Sequence, residues 1–160
     1  MSQSFIPISE VVHTLSQAPQ ALAQESVISE IRCLSQRIPA GFPSPAGDYA
    51  EEGLDLNTYL VQNGPATFMF TVRGESMIGA GICDGDKVVV DRSIKPKHNH
   101  IVVAVVDGEY TIKRFCRLRS GVELRPENPR YEPITFTEGR ELQIWGVVVG
   151  VVRKYFGKGE

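Results

Sequence analysis

The run Ile101-Val102-Val103-Ala104-Val105-Val106-Asp107-Gly108-Glu109-Tyr110-Thr111-Ile112-Lys113-Arg114-Phe115-Cys116-Arg117-Leu118 decides the fold. Two stretches rich in β-branched and aromatic residues are joined by Asp107-Gly108, a tight-hairpin signal whose glycine supplies the positive φ that such turns require. The turn sets Tyr110 to Arg117 in register against Ile101 to Val106. Because side chains alternate along a strand, Thr111, Lys113, Phe115 and Arg117 share one face, and Tyr110, Ile112, Arg114 and Cys116 the other.

The same pattern continues on both sides of the hairpin. Phe68 to Val72, Lys87 to Asp91, Val122 to Pro126, Ile134 to Phe136 and Leu142 to Val152 bring the strands to seven, with turn signals and no helical periodicity between them. Short connections and several wholly apolar runs predict a mainly β protein, with a compact, twisted, partly closed antiparallel β domain over residues 41–160. Residues 1–40 have another character, an arm with two basic residues (Arg32, Arg37), three acidic ones (Glu10, Glu25, Glu30) and much Ser, Gln and Ala. Ile8, Val11, Val12 and Leu15, then Val27, Ile31, Leu34 and Ile38, fall at helical spacing and are closed by Pro19 and Pro39, which predicts two short amphipathic helices. Helices of that length are marginal alone and pack loosely on the domain or order with a partner. From Ile38 to Gly47, three prolines and two glycines in ten residues predict an extended, exposed linker. Asp55 to Gly64 reads as a short helix capped by Asp55, with Leu56, Tyr59 and Leu60 on one face and Asn63-Gly64 at its end.

The chain has 160 residues, 42% of them hydrophobic, which suits one domain with a core plus an arm. A formal net charge of -2 and a pI near 5.9 leave no basic footprint for nucleic acid, so no direct sequence-specific DNA binding is expected. Cys33, Cys83 and Cys116 are odd in number and widely spaced, as in a reducing compartment. No apolar run approaches the roughly 18 residues of a membrane span. The first residues lack the pattern of a secretory signal, and a cytoplasmic protein is predicted.

One serine stands out against this background. Ser76, in Arg73-Gly74-Glu75-Ser76-Met77, follows an apolar run and opens a glycine-rich turn, a seat that suits a nucleophile. The commoner role of such a serine is to bond local backbone. A nucleophile needs a base, and Lys113 is the candidate: on a solvated edge it stays charged, whereas burial would lower its pKa and make it a general base. His13 lies in the arm. His98 and His100 share a polar loop without a third ligand nearby, so neither a metal site nor any cofactor is expected.

Ala40-Gly41, then Gly74-Glu75-Ser76-Met77 with Asp84-Gly85-Asp86, then Thr111-Ile112-Lys113-Arg114, with 37 positions from Ser76 to Lys113, resemble the LexA/UmuD superfamily of self-cleaving serine peptidases, and its UmuD branch most. The likeness runs from about Ile38 to Val152 and takes in Gly41-Phe42-Pro43-Ser44-Pro45-Ala46, Val106-Asp107-Gly108-Glu109 and Trp145-Gly146-Val147-Val148. It implies Ser76 as nucleophile, Lys113 as base, cleavage between Ala40 and Gly41, and oxyanion donors from the backbone near Glu75 and Ser76. It also implies a homodimer, cutting stimulated by the RecA nucleoprotein filament, and a shortened product that joins a UmuC-type error-prone polymerase subunit in SOS mutagenesis. Glu75 stands where a close UmuD relative has Asp, Ala40 where one has Cys, and the arm is longer than is typical there. Two other readings remain: a LexA-like repressor, for which an arm with two basic residues and no helix-turn-helix is a poor reader, and a non-catalytic module that only binds a polymerase.

Overall fold

A computed structural model describes residues 20–21, 31–34, 40–41, 50–136 and 141–156. It divides into two compact units, one within Ala23–Gln62 and one made of the residues before Ala23 and from Asn63 onward.

In the smaller unit, β2 (Ile31–Leu34) pairs antiparallel with β3 (Ala50–Leu54), Ile31 opposite Leu54 and Leu34 opposite Ala50. This corrects the helix expected from Val27 to Ile38. Ile31 and Leu34 satisfy helical spacing, but four residues with a β-branched start also read as a strand, and a facing strand decides between them. The other helix, Ile8 to Leu15, lies outside the described residues, as does most of the 38–47 linker. A five-residue helix, α1 (Leu56–Leu60), follows β3, with the Asp55 carboxylate accepting from the N–H groups of Asn57 and Thr58. It is shorter than Asp55 to Gly64 because Val61 is already extended (φ -118°, ψ 100°), so the chain leaves the helix there. Gly64–Ala66 instead form a single 3₁₀ turn.

The larger unit is one antiparallel sheet. Its strands are β1 (Gln20–Ala21), β4 (Thr67–Thr71), β5 (Lys87–Asp91), β6 (Ile101–Val106), β7 (Glu109–Leu118), β8 (Gly121–Arg125), β9 (Ile134–Thr135) and β10 (Leu142–Val152), in the order β1-β4-β5-β10-β6-β7-β8-β9. The central hairpin forms as its sequence requires: Asp107 at φ 51° and Gly108 at φ 88° make a two-residue turn, and Val106 faces Glu109. The last strand, β10, is inserted between β5 and β6, a long-range pairing that buries the middle of the chain.

The apolar runs are buried on both faces of the sheet. Val88, Val90 and Val103 pack with Phe70, Tyr110, Ile112 and Trp145 on one side, and Val102, Ala104 and Val106 with Phe115 and Leu124 on the other. Trp145 contacts Phe68 and Phe70 edge-on, with the Arg92 guanidinium 4.7 Å above its ring. These two packed layers bury residues of β5, β6 and β7, and the loop carrying Ser76 leaves from the end of β4.

Candidate active site

Ser76 lies in the loop between β4 and β5, whose ends are tied together. The Val72 N–H donates to the Asp86 carbonyl (2.8 Å) and the Gly85 N–H to the Val72 carbonyl (2.9 Å). Between them, Gly74 (φ 91°) and Gly81 (φ 78°) take the left-handed backbone that other residues avoid, flanking a 3₁₀ turn over Ile78–Ala80. The Asp84 carboxylate accepts the Gly74 N–H at 2.6 Å. Asp86, 3% exposed, accepts the Cys83 N–H at 2.7 Å and two Arg153 N–H groups at 2.6 Å each. Arg153 also donates to the Gly81 carbonyl at 2.9 Å, so the residue just past β10 locks the loop.

The Arg153 hydrogen bonds hold the Asp86 carboxyl below the usual 3.8, against the opposing effect of burial. Stability from a carboxylate with a lowered folded-state pKa is present above the unfolded value and lost as pH falls through the folded value. Arg153→Ala is therefore expected to lower the thermal midpoint most at neutral pH and progressively less in acid. Calorimetry near neutrality and at about pH 3 checks this, since removing protonation differences should shrink the gap; an equal gap at both would exclude the mechanism.

Lys113 enters from β7, opposite Val102 of β6, and is 8% exposed. Its Nζ lies 3.0 Å from Ser76 Oγ, 2.8 Å from Thr111 Oγ1 and 3.0 Å from the Ile112 carbonyl oxygen. None of these partners is an anion, so nothing offsets desolvation, and burial pushes the lysine below its ordinary 10.5. The choice that the sequence left open falls to the buried lysine. A neutral amine keeps two N–H donors and gains a lone pair. Thr111 and Ile112 can take the two donors, leaving the lone pair for the hydroxyl of half-buried Ser76.

Glu75 has an exposed side chain, and its carbonyl accepts from Asn128 Nδ2 at 2.9 Å. Ala40 and Gly41 occupy an exposed bend within the smaller unit. The Nδ1 atoms of His98 and His100 accept the backbone N–H groups of Arg117 and Lys97, and among the described residues no group of three or more His, Cys, Asp or Glu could hold a metal. Three participants escaped the sequence reading: Asn128, Glu127 and Arg153. Pro126-Glu127-Asn128-Pro129 reads as an ordinary turn, and nothing in it signals contacts with a loop some fifty positions earlier.

The Peptidase S24-like family profile matches residues 32–149, a span that includes Ser76 and Lys113. The chain belongs to that family. Protein SamA of Salmonella typhimurium is 47% identical over 131 residues, covering 82% of this chain and 91% of SamA. Protein MucA of Escherichia coli is 44% identical over 115 residues, 71% of this chain and 77% of MucA. LexA repressor 1 of Geobacter sulfurreducens is 42% identical over 117 residues, 72% of this chain but 57% of the repressor. Together with the antiparallel sheet, these matches place this S24-like chain among the UmuD-type members of the self-cleaving serine peptidase superfamily. None of its described helices is long and apolar enough to cross a membrane.

Proposed function

We propose that this chain cuts itself once, between Ala40 and Gly41, using Ser76 and Lys113. Neutral Lys113 takes the Ser76 hydroxyl proton as Oγ bonds to the Ala40 carbonyl carbon, and backbone N–H groups near Glu75 and Ser76 hold the oxyanion. The Ala40–Gly41 C–N bond then breaks, with Lys113 returning the proton to the Gly41 amine. Water, deprotonated by Lys113, hydrolyses the Ser76 ester, restoring the serine and leaving a carboxylate on Ala40. Substrate and nucleophile share one chain, so tethering supplies effective concentration without a selective peptide pocket. The observation that carries the reading is the 3.0 Å Ser76–Lys113 contact made by a lysine that burial has made a weaker base.

The wider role in this proposal is SOS mutagenesis. The products are the arm, residues 1–40, and a β domain of residues 41–160 that acts in the cytoplasm as a homodimeric accessory to a UmuC-type error-prone polymerase subunit, with the RecA filament stimulating the cut. A LexA-like repressor is the second reading. It is favoured less because the repressor match spans 57% of that protein, against 91% of SamA.

Raising pH deprotonates Lys113, so purified protein is expected to cut itself slowly at about pH 10, near the ordinary range of lysine. Mass spectrometry should find a fragment beginning at Gly41, and that fragment should bind a UmuC-type subunit more tightly than uncut Ser76→Ala protein does. Intact folded protein after prolonged alkaline incubation would reject the peptidase reading; equal binding by both forms would reject the switch alone.

A further inference from the structure

Two successive carbonyls flank the Ser76 Cα, and both are held by one loop. Asn128 Nδ2 donates to the Glu75 carbonyl at 2.9 Å, and the Glu127 N–H donates to the Ser76 carbonyl at 2.8 Å. The loop is itself anchored. The Gly79 N–H donates to the Glu127 carbonyl at 2.7 Å, and Arg114 forms an ion pair with the Glu127 carboxylate while donating to the Asn99 carbonyl at 2.7 Å. Arg114 follows Lys113 on β7, so the strand that carries the lysine also braces the loop that holds the serine.

Asn128 is 5% exposed, and its side-chain NH2 reaches a carbonyl 53 positions away. Its Oδ1 accepts the Arg130 N–H at 3.0 Å, so both ends of the amide are used. The described residues contain no cis peptide bond, and in a trans peptide the N–H points opposite to the C=O. Anchoring the Glu75 carbonyl therefore aims the Ser76 N–H away from the 126–129 loop. That N–H donates to no backbone carbonyl among the described residues. It is one of the donors that the proposed reaction assigns to the oxyanion.

We propose that Asn128 is a positioning residue for self-cleavage, which fixes the Glu75–Ser76 peptide plane so that the Ser76 N–H is oriented before the oxyanion forms. Its hydrogen bonds go to Glu75 and Arg130 and not to Lys113; it acts through the backbone of Ser76. The inference rests on the Ser76–Lys113 reading, and wild-type protein tests that reading separately.

The test measures the first-order self-cleavage rate of Asn128→Ala and Asn128→Ser proteins across the alkaline range. The expected result is a fall of about 10- to 100-fold, less than the 10²–10³-fold of deleting an oxyanion donor outright, because the donor is misaimed rather than lost. The fall should be the same at every pH and the midpoint of the pH rise unchanged, since Thr111 and Ile112 still surround Lys113. A rate within twofold of wild type would overturn the proposal. So would a shifted midpoint, which would mean that Asn128 acts on the lysine. A variant that folds poorly is measured in trimethylamine N-oxide, which restores compact states; a wild-type rate once the fold is restored would make Asn128 structural only. Absence of cutting in wild-type protein would remove the peptidase reading and this inference together.

Discussion

Lys113→Met is expected to abolish alkaline self-cleavage, with a loss on the order of 10⁴-fold or more, the scale for removing a nucleophile's base when the residues act as a unit. Methionine keeps the length and the apolar stem, so the space that the lysine fills between β7 and Ser76 stays occupied. The wild-type rate should rise with pH and level off once Lys113 is neutral, whereas the variant should stay flat. The same substitution tests the burial argument independently. A lysine whose folded-state pKa is lowered destabilises the fold while it is charged, and that cost is relieved as pH rises from the folded value toward 10.5. Wild-type stability relative to Lys113→Met should therefore improve between neutral pH and about pH 10, a range set by the ordinary lysine pKa. Cutting by the variant with the wild-type pH dependence would show that another group is the base. A stability gap that does not move with pH would show that Lys113 is solvated.

What the sequence made legible was local. Asp107-Gly108 fixed a hairpin because turn chemistry and strand alternation are decided within a few residues, and Lys87–Asp91, Ile101–Val106 and Leu142–Val152 have the bounds expected for them. Spacing misled at Ile31–Leu34, where a short segment fits two periods and only its partner at Ala50–Leu54 decides. The site was half legible. Ser76 and Lys113 were found as residue types in suggestive company, but whether Lys113 was buried depends on packing between β6, β7 and a loop from elsewhere. Asn128 with Glu75 and Arg153 with Asp86 meet across 53 and 67 positions. Their neighbours in sequence contain no trace of those meetings.

Gly79→Ala is expected to destabilise the folded protein by about 1–3 kcal/mol, the usual cost of forcing a methyl group into occupied space. A Cβ at Gly79 would lie 2.5 Å from the Glu127 carbonyl oxygen and 3.3 Å from its carbon, both backbone atoms. Glu127 has little freedom to withdraw: its N–H is committed to Ser76, its side chain is paired with Arg114, and its neighbour Asn128 is bonded to Glu75. Relief must come from separating the loop from the Ser76 turn, which also breaks the 2.7 Å bond from the Gly79 N–H to Glu127. Gly81→Ala provides the contrast. Its Cβ would meet nothing within 4 Å, but the residue sits at φ 78°, so the penalty is torsional, about 1–2 kcal/mol, and leaves the brace in place. The two variants should thus lose comparable stability in urea unfolding and differ in alkaline self-cleavage, with Gly79→Ala slowed well beyond Gly81→Ala. Equal rates at matched stability would mean that the contact between Glu127 and the Ser76 turn holds the fold without setting the geometry of attack.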